Sequence, residues 1–336
     1  MARSDLSHRR VTAADIARSL GVSRATVGFV LNETAGQTIS EQTKKRVLDE
    51  ARRLGYRPHT AARALASGRS RIVLAVLPDW PLDFSLRRHL EEASLVLDEA
   101  GYSFITYTAH PTGQARPLWE TLAPDVVLSV TGRFTSEQIA SLRAAGIPAI
   151  VPNPDDLGAE EYPEEGPLLQ MTHLESLGHR RVAFAESADS RIADLVATRR
   201  ARAEGAAKVL QLAPPLTLSV SLDPGSAESA LDEMLRRGIT AVAAYNDDVA
   251  VALVGAALRR RLDVPQDLSV VGHDDAPVAA ILEPQLSTVR VDTAGLGRYI
   301  AALALSAAEG AAAPSMPPET RAELVARAST GPAPKR

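Results

Sequence analysis

A chain of 336 residues, 45% hydrophobic and 23% charged, exceeds what one core usually holds, so a small module attached to a larger body of one or two lobes is expected. No run approaches the roughly 18 apolar residues of a membrane span, and the opening segment is polar where a signal peptide would be apolar; with no cysteine at all, a disulfide framework, a thiolate metal site and a cysteine nucleophile are excluded and a cytoplasmic location is expected. The net charge of −4 conceals an asymmetry: residues 1–70 hold 13 Lys or Arg against 6 Asp or Glu (+7), and the remainder 24 against 35 (−11), the footprint of a nucleic-acid reader joined to an acidic body.

In chain order, the first element is a helix over about 13–20. Thr12 caps it, Asp15 completes the cap three residues on, Ile16, Ala17 and Leu20 form its apolar face, and Gly21 stops it. Val22 anchors the turn, and Ser23 caps a second helix carrying Val27, Val30 and Leu31. So short a turn forces the two helices to cross steeply and leaves the second free to enter a major groove. A third helix begins at Ser40 and ends before Gly55, and its apolar set Val47, Leu48, Ala51 and Leu54 is expected to floor the other two.

The strings VTAADIARSLGVSRATVGFVLN and ISEQTKKRVLDEARRLGYRPHTAARALASGRS closely resemble the head of the LacI/GalR family over about 60 residues, a highly specific match. The resemblance implies an N-terminal all-α, lambda-repressor-like helix-turn-helix domain over 1–59 and a hinge or linker over 60–70. It implies that Arg24, Ala25 and Phe29 face base edges. Arg24 suits guanine O6 and N7, and Phe29 suits a thymine methyl. Thr12, Ser23, Thr26 and Asn32 are implied to hold phosphates, with Arg57 and Arg63 close to the DNA backbone. Leu65, in a hinge stretch of about eight residues too short to be helical alone, is implied to wedge into the minor groove. The sequence departs from the family where a Ser-Arg pair is usual: Gly28-Phe29 stands there. A mid-helix glycine costs about 1 kcal/mol relative to alanine, and the lost arginine removes a guanine reader.

From Arg71 onward short apolar strands alternate with amphipathic helices. Strands are expected at 72–78, 103–108, 126–130, 149–152, 181–186, 216–220, 241–246 and 268–273. Continuous apolar runs mark parallel strands covered on both faces. Nearly 270 such residues favour an α/β body of two doubly wound parallel-sheet lobes with a ligand crevice at the carboxyl ends of the strands. Neither GxGxxG after the first strand nor GxxxxGK[ST], GxSxG or HExxH is present, and the seven histidines form no recognisable cluster, so no cofactor, no metal and no catalytic residue is expected.

LGHRRVAF at 177–184, Arg202 three residues before Gly205, Tyr245-Asn246-Asp247 and VPQDLSVVGHDD at 264–275 resemble the family's two-lobed, periplasmic-binding-protein-like domain, here 71–336, with lobe 1 at about 71–162 and 292–320 and lobe 2 at about 163–291 and 321–330. The resemblance implies that Arg202, Asn246 and Asp274 hydrogen-bond a polar effector. Asp79 and Trp80, after the first strand, are candidates from the opposite lobe, an indole face suiting a sugar or purine ring. Caps could equally claim Asn246 and Asp274, and packing could claim Trp80. PNPDDLGAEEYPEEG at 152–166 departs from the family. LVARAST resembles the family's last strand, and no leucine heptad follows it, so a homodimer is expected. The expected function is a transcriptional regulator, repressor rather than activator, whose partners are double-stranded operator DNA and a small-molecule effector, with no membrane. A solute-binding protein would share the body, but the basic head opposes it; a sugar- or nucleoside-cleaving enzyme would need a carboxylate pair that is not evident.

Overall fold

The computed structural model describes residues 11–31, 37–56, 69–110, 113–130, 133–152, 165–315 and 322–335. Asn32, Arg57, Arg63, Leu65, the 60–67 hinge stretch and most of the 152–166 segment lie outside the described residues.

In the head, α1 (Ala13–Leu20) opens on a reciprocal cap: the Thr12 N–H donates to Asp15 Oδ2 at 2.9 Å and the Asp15 N–H to Thr12 Oγ1 at 3.4 Å. It stops at Gly21, whose φ of +67° suits a residue without a Cβ. Ser23 Oγ accepts from the Thr26 N–H at 3.0 Å and starts α2 (Arg24–Leu31). Ser40 does the same for α3 (Glu41–Arg53). Helices of this length are marginal alone. Ile16, Ala17, Val27, Val30, Val47 and Ala51 bury together and hold them, with Val22, Leu54 and Tyr56 packed around; each large side chain contributes about 1.5–3 kcal/mol. Leu48, expected in this floor, is instead 44% exposed. Val47 and Ala51 are four apart and share the inward face, and Leu48, about 100° further round, turns away.

The body holds two four-stranded parallel sheets. The first, in the order β2 (Ser103–Thr108), β1 (Ile72–Leu77), β3 (Val126–Ser129) and β4 (Ala149–Val151), is sandwiched by helices. Alternate side chains point to opposite faces. Val73, Ala75, Val126 and Leu128 meet α4 (Phe84–Glu99) and α12 (Thr293–Glu309) through Ala93, Leu97, Ala301 and Ala304. Leu74, Val76 and Val127 meet Trp119 of α5 (Leu118–Leu122) and Leu142 of α6 (Ser136–Ala144).

The second sheet runs β6 (Leu216–Val220), β5 (Val182–Ser187), β7 (Ala241–Ala244), β8 (Ser269–Val271). Val182, Phe184, Ala241 and Ala243 face α7 (Gly166–Ser176) and α8 (Ala193–Val209). Ala183, Ala185, Val242 and Val270 face α9 (Pro224–Arg236) and α10 (Asp247–Arg259). After a short helix α11 (Pro277–Ile281), β9 (Thr288–Arg290) leads into α12 and pairs antiparallel with β10 (Glu323–Val325). The chain therefore visits the first sheet, the second and the first again, with β9 and β10 as the crossing strands. All eight expected strands are present to within two residues at either end; β9, three residues long, carries too little pattern to be seen in sequence.

Candidate functional site

On α2, Val27 and Val30 point into the head's core, while Arg24 and Ala25 are exposed and Gly28 and Phe29 half-buried. Positions 24, 25, 28 and 29 repeat at i and i+4 and form one outward stripe. Phe29 stands outside the packed cluster. Thr12, Ser23 and Thr26 have their hydroxyls engaged locally: Thr12 Oγ1 donates to Asp15 Oδ2 at 2.7 Å, and the Ser23 and Thr26 hydroxyls share a 2.8 Å bond. Backbone N–H groups capped by a hydroxyl at a helix start are also the groups that meet a phosphate.

In the body, Asp79 and Trp80 follow the carboxyl end of β1 and line a cavity of about 450 Å³ with Phe134, Gln138, Arg133 and Arg191. His110 Nδ1 lies 3.8 Å and Arg191 Nη1 4.0 Å from the Asp79 carboxylate. Trp80 also packs against the second sheet's core cluster, which includes Tyr245, so the indole spans the crevice.

Asn246 and Asp274 stand at the carboxyl ends of β7 and β8. Asn246 Oδ1 accepts from the Val249 N–H at 3.0 Å and caps α10. Asp274 is buried, at φ +101°, a conformation that costs energy and collects at functional sites. Its Oδ1 accepts from His273 Nδ1 at 2.6 Å and lies 3.6 Å from Arg199 Nη2. Burial alone would raise its pKa, but the Arg199 guanidinium and His273 together hold it at about 2. Arg199 is itself fixed: Nη1 donates to the Tyr245 carbonyl at 2.6 Å, and the guanidinium lies 4.6 Å over the Tyr245 ring. Arg202, the arginine named from sequence, is partly buried one turn further along α8; the one set against Asp274 is Arg199.

Residues missed in sequence face this wall from α4 of the first sheet. Asp83 caps α4 through the Leu86 N–H at 2.8 Å; burial first, then the Asp274 and Asp248 carboxylates, raise its pKa against the pull of Arg199. Burial depresses the His89 pKa to about 4, so its imidazole is neutral at pH 7. The Asp83 cap was visible as an acidic residue before an apolar helix; the choice among Arg199, Arg200 and Arg202 was not, since only packing orients them. Behind the wall, Asp247 Oδ1 accepts from Thr288 Oγ1 at 2.6 Å and Oδ2 from the Ala276 N–H at 2.7 Å, joining α10 to the crossing strand β9.

Two family models match: bacterial regulatory proteins of the lacI family over residues 12–59, and a periplasmic binding protein-like domain over 171–330. The chain is 31% identical over 316 residues to the HTH-type transcriptional regulator GalS of Salmonella typhimurium, covering 89% of this chain and 91% of that one. It is 29% identical over 348 residues to the HTH-type transcriptional regulator MalR of Streptomyces coelicolor, covering 96% and 97%. The fold is similar to that of the lac repressor dimer bound to operator and the anti-inducer ONPF, with a TM-score of 0.77 at 23% identity over 96% of this chain and all of that one. The chain belongs to the LacI family of bacterial transcriptional regulators, an HTH head followed by a two-sheet α/β body.

Proposed function

We propose that this chain is a cytoplasmic, homodimeric transcriptional repressor whose affinity for operator DNA is set by a small polar effector held in the crevice between its two sheets. The observation that carries the reading is the outward stripe of α2, led by the exposed Arg24, in a basic segment whose residues 1–70 carry +7, joined to a body in which Asp79 and Trp80 line one cavity and Asp274 another, with Trp80 packed against the cluster of Tyr245, the ring over which Arg199 lies. The division that goes with it is head 1–59, hinge 60–70 and body 71–336, with DNA met by Thr12, Ser23, Arg24, Ala25, Thr26, Phe29 and by Asn32, Arg57, Arg63 and Leu65. The effector is met by Asp79 and Trp80 on one wall and by Arg202, Asn246 and Asp274 on the other, with Arg199 as the orienting cation. The similar lac repressor dimer, bound to operator and the anti-inducer ONPF together, supports two ligands on one chain. No helix among the described residues is long and apolar enough to cross a membrane. A genome-wide binding map with and without candidate carbohydrates tests the reading: discrete sites whose occupancy changes with one compound support it, and occupancy without sequence preference or response refutes it.

A further inference from the structure

Glycine in the middle of a helix is destabilising relative to alanine, so its presence asks for a reason. Most described glycines have one inside the protein: a positive φ, as at Gly21 and Gly310, or a neighbour that a Cβ would strike, as at Gly166 and Gly297. A Cβ at Gly225 would make only an ordinary contact with Asp223 and one at Gly255 would meet only the tip of the Arg259 side chain, while at Gly28 and Gly205, both helical, it would meet nothing within 4 Å. Gly28 is also the one that lies on the outward stripe of α2, between Ala25 and Phe29. That stripe pairs a single cation, Arg24, with two of the smallest side chains and an aromatic ring that the head's core does not claim. It offers neither the amide of an adenine reader nor a second guanidinium for guanine, and its only large contact surface is apolar.

We propose that Gly28 and Phe29 together are specificity-determining residues that read a pyrimidine 5-methyl group in the major groove: the bare backbone at Gly28 lets α2 approach the base edge closely, and the Phe29 ring then covers the thymine methyl that this approach brings into contact. The inference rests on the reading of α2 as the operator reader. A thymine C5-methyl is the one apolar group displayed in the major groove. A closer helix raises the share of its surface that is removed from water. The absence of a side chain at Gly28 has no use in the protein by itself and a direct one here.

The test uses the full-length protein and an operator obtained by selection from a randomised duplex library. Each thymine of the half-site is replaced in turn by uracil, which differs only by the methyl. At one thymine the wild type loses about fourfold in affinity, the value of one buried methyl group, and Phe29→Ala shows no such loss there. A 5-methylcytosine·guanine pair at that position binds more tightly than the unmethylated cytosine pair. Gly28→Ala, whose α2 amides exchange at least as slowly as wild type, weakens operator binding about tenfold or more. Affinity unchanged by every uracil, or a uracil penalty that persists in Phe29→Ala, overturns the methyl reading, and Gly28→Ala binding as well as wild type overturns the close approach. If selection enriches no sequence, the assignment of α2 as the operator reader itself fails, an outcome separate from either.

Discussion

At the scale of single residues, two buried aspartates in the body respond to pH in opposite senses. Burial raises the Asp247 pKa from 3.8 to about 7, despite the hydrogen bonds from Thr288 and the Ala276 N–H. Its folded pKa lies above its unfolded one, so the folded state binds the extra proton between about pH 4 and 7, and this residue's contribution becomes less favourable as pH rises through that window. The full cost above pH 7 is on the order of 4 kcal/mol at about 1.4 kcal/mol per unit. Asp274 runs the other way: with its pKa lowered from 3.8 to about 2, its contribution is present above about pH 4 and lost as pH falls towards 2. His89, His173 and His179, depressed mainly by burial, also favour the fold less as pH drops below about 6.5, so Asp247 has to be isolated by difference. Urea midpoints of the wild type and Asp247→Asn, compared from pH 5 to 8, are expected to converge towards high pH, because the variant lacks the buried charge and has lost one acceptor; parallel profiles refute the assignment.

Arg199 and Asp274 make a second residue-scale prediction. Removing one partner of a buried ion pair leaves the other uncompensated and costs about 3 to 5 kcal/mol. Arg199→Ala is therefore expected to lower the urea midpoint sharply and to abolish the effector response. Asp274→Ala also abolishes the response, while leaving operator affinity without effector near wild type, as fluorescence anisotropy would show.

Between elements, the amino end of α7 and the loop after β8 meet with no spare room. A Cβ on Gly166 would stand 2.1 Å from His273 Nε2, a clash that moves the imidazole and with it the Asp274 carboxylate it holds at 2.6 Å. Gly166→Ala is expected to weaken effector binding about tenfold in isothermal titration while leaving the head unchanged. The end of the chain is held by another histidine. His179 Nδ1 shares a 2.8 Å bond with Thr240, and Nε2 lies 3.1 Å from both Ser269 Oγ and the Gly331 carbonyl. The Ala333 N–H then donates to the Leu177 carbonyl at 2.9 Å. These bonds fix the segment after β10 against the carboxyl end of α7. His179→Ala removes the partner of the Thr240 hydroxyl and leaves the Ser269 hydroxyl and Gly331 held only by their bonds to each other, a loss of about 1–3 kcal/mol, and is expected to speed amide exchange at Gly331 and Ala333 before any global loss of structure.

For the whole molecule, the +7 charge of residues 1–70 predicts steep salt dependence. With about six to ten phosphate contacts per dimer, raising salt from about 50 to 200 mM should weaken operator binding by about 10³ to 10⁵; a flat profile refutes the model. The effector can shift DNA affinity only by its differential affinity for two arrangements of the body, typically 1–3 kcal/mol or about 5- to 150-fold. Leu65→Ala should weaken operator binding while leaving effector affinity of the free protein unchanged, which separates the two ligands' contributions in a single comparison of titration and anisotropy.

What was legible in the sequence was whatever is local. Thr12 with Asp15, Gly21, Ser23 and Ser40 mark helix ends because caps and positive φ act within four residues, and the strands of both sheets announce themselves as apolar runs because parallel strands are covered on both faces. The +7 of residues 1–70 and the outward stripe of α2 follow from charge counting and helical periodicity. Only the tertiary structure decided that Leu48 faces outward, that Arg199 is the guanidinium set against Asp274, that His273 and Gly166 brace that carboxylate, and that Asp83 and His89 of α4 face it. Arg199 and Asp274 are 75 positions apart, Gly166 and His273 107, and Asp83 and Asp274 191, and nothing in the spacing of a chain records which side chains meet across such separations; only the packing of two sheets and their helices brings them together.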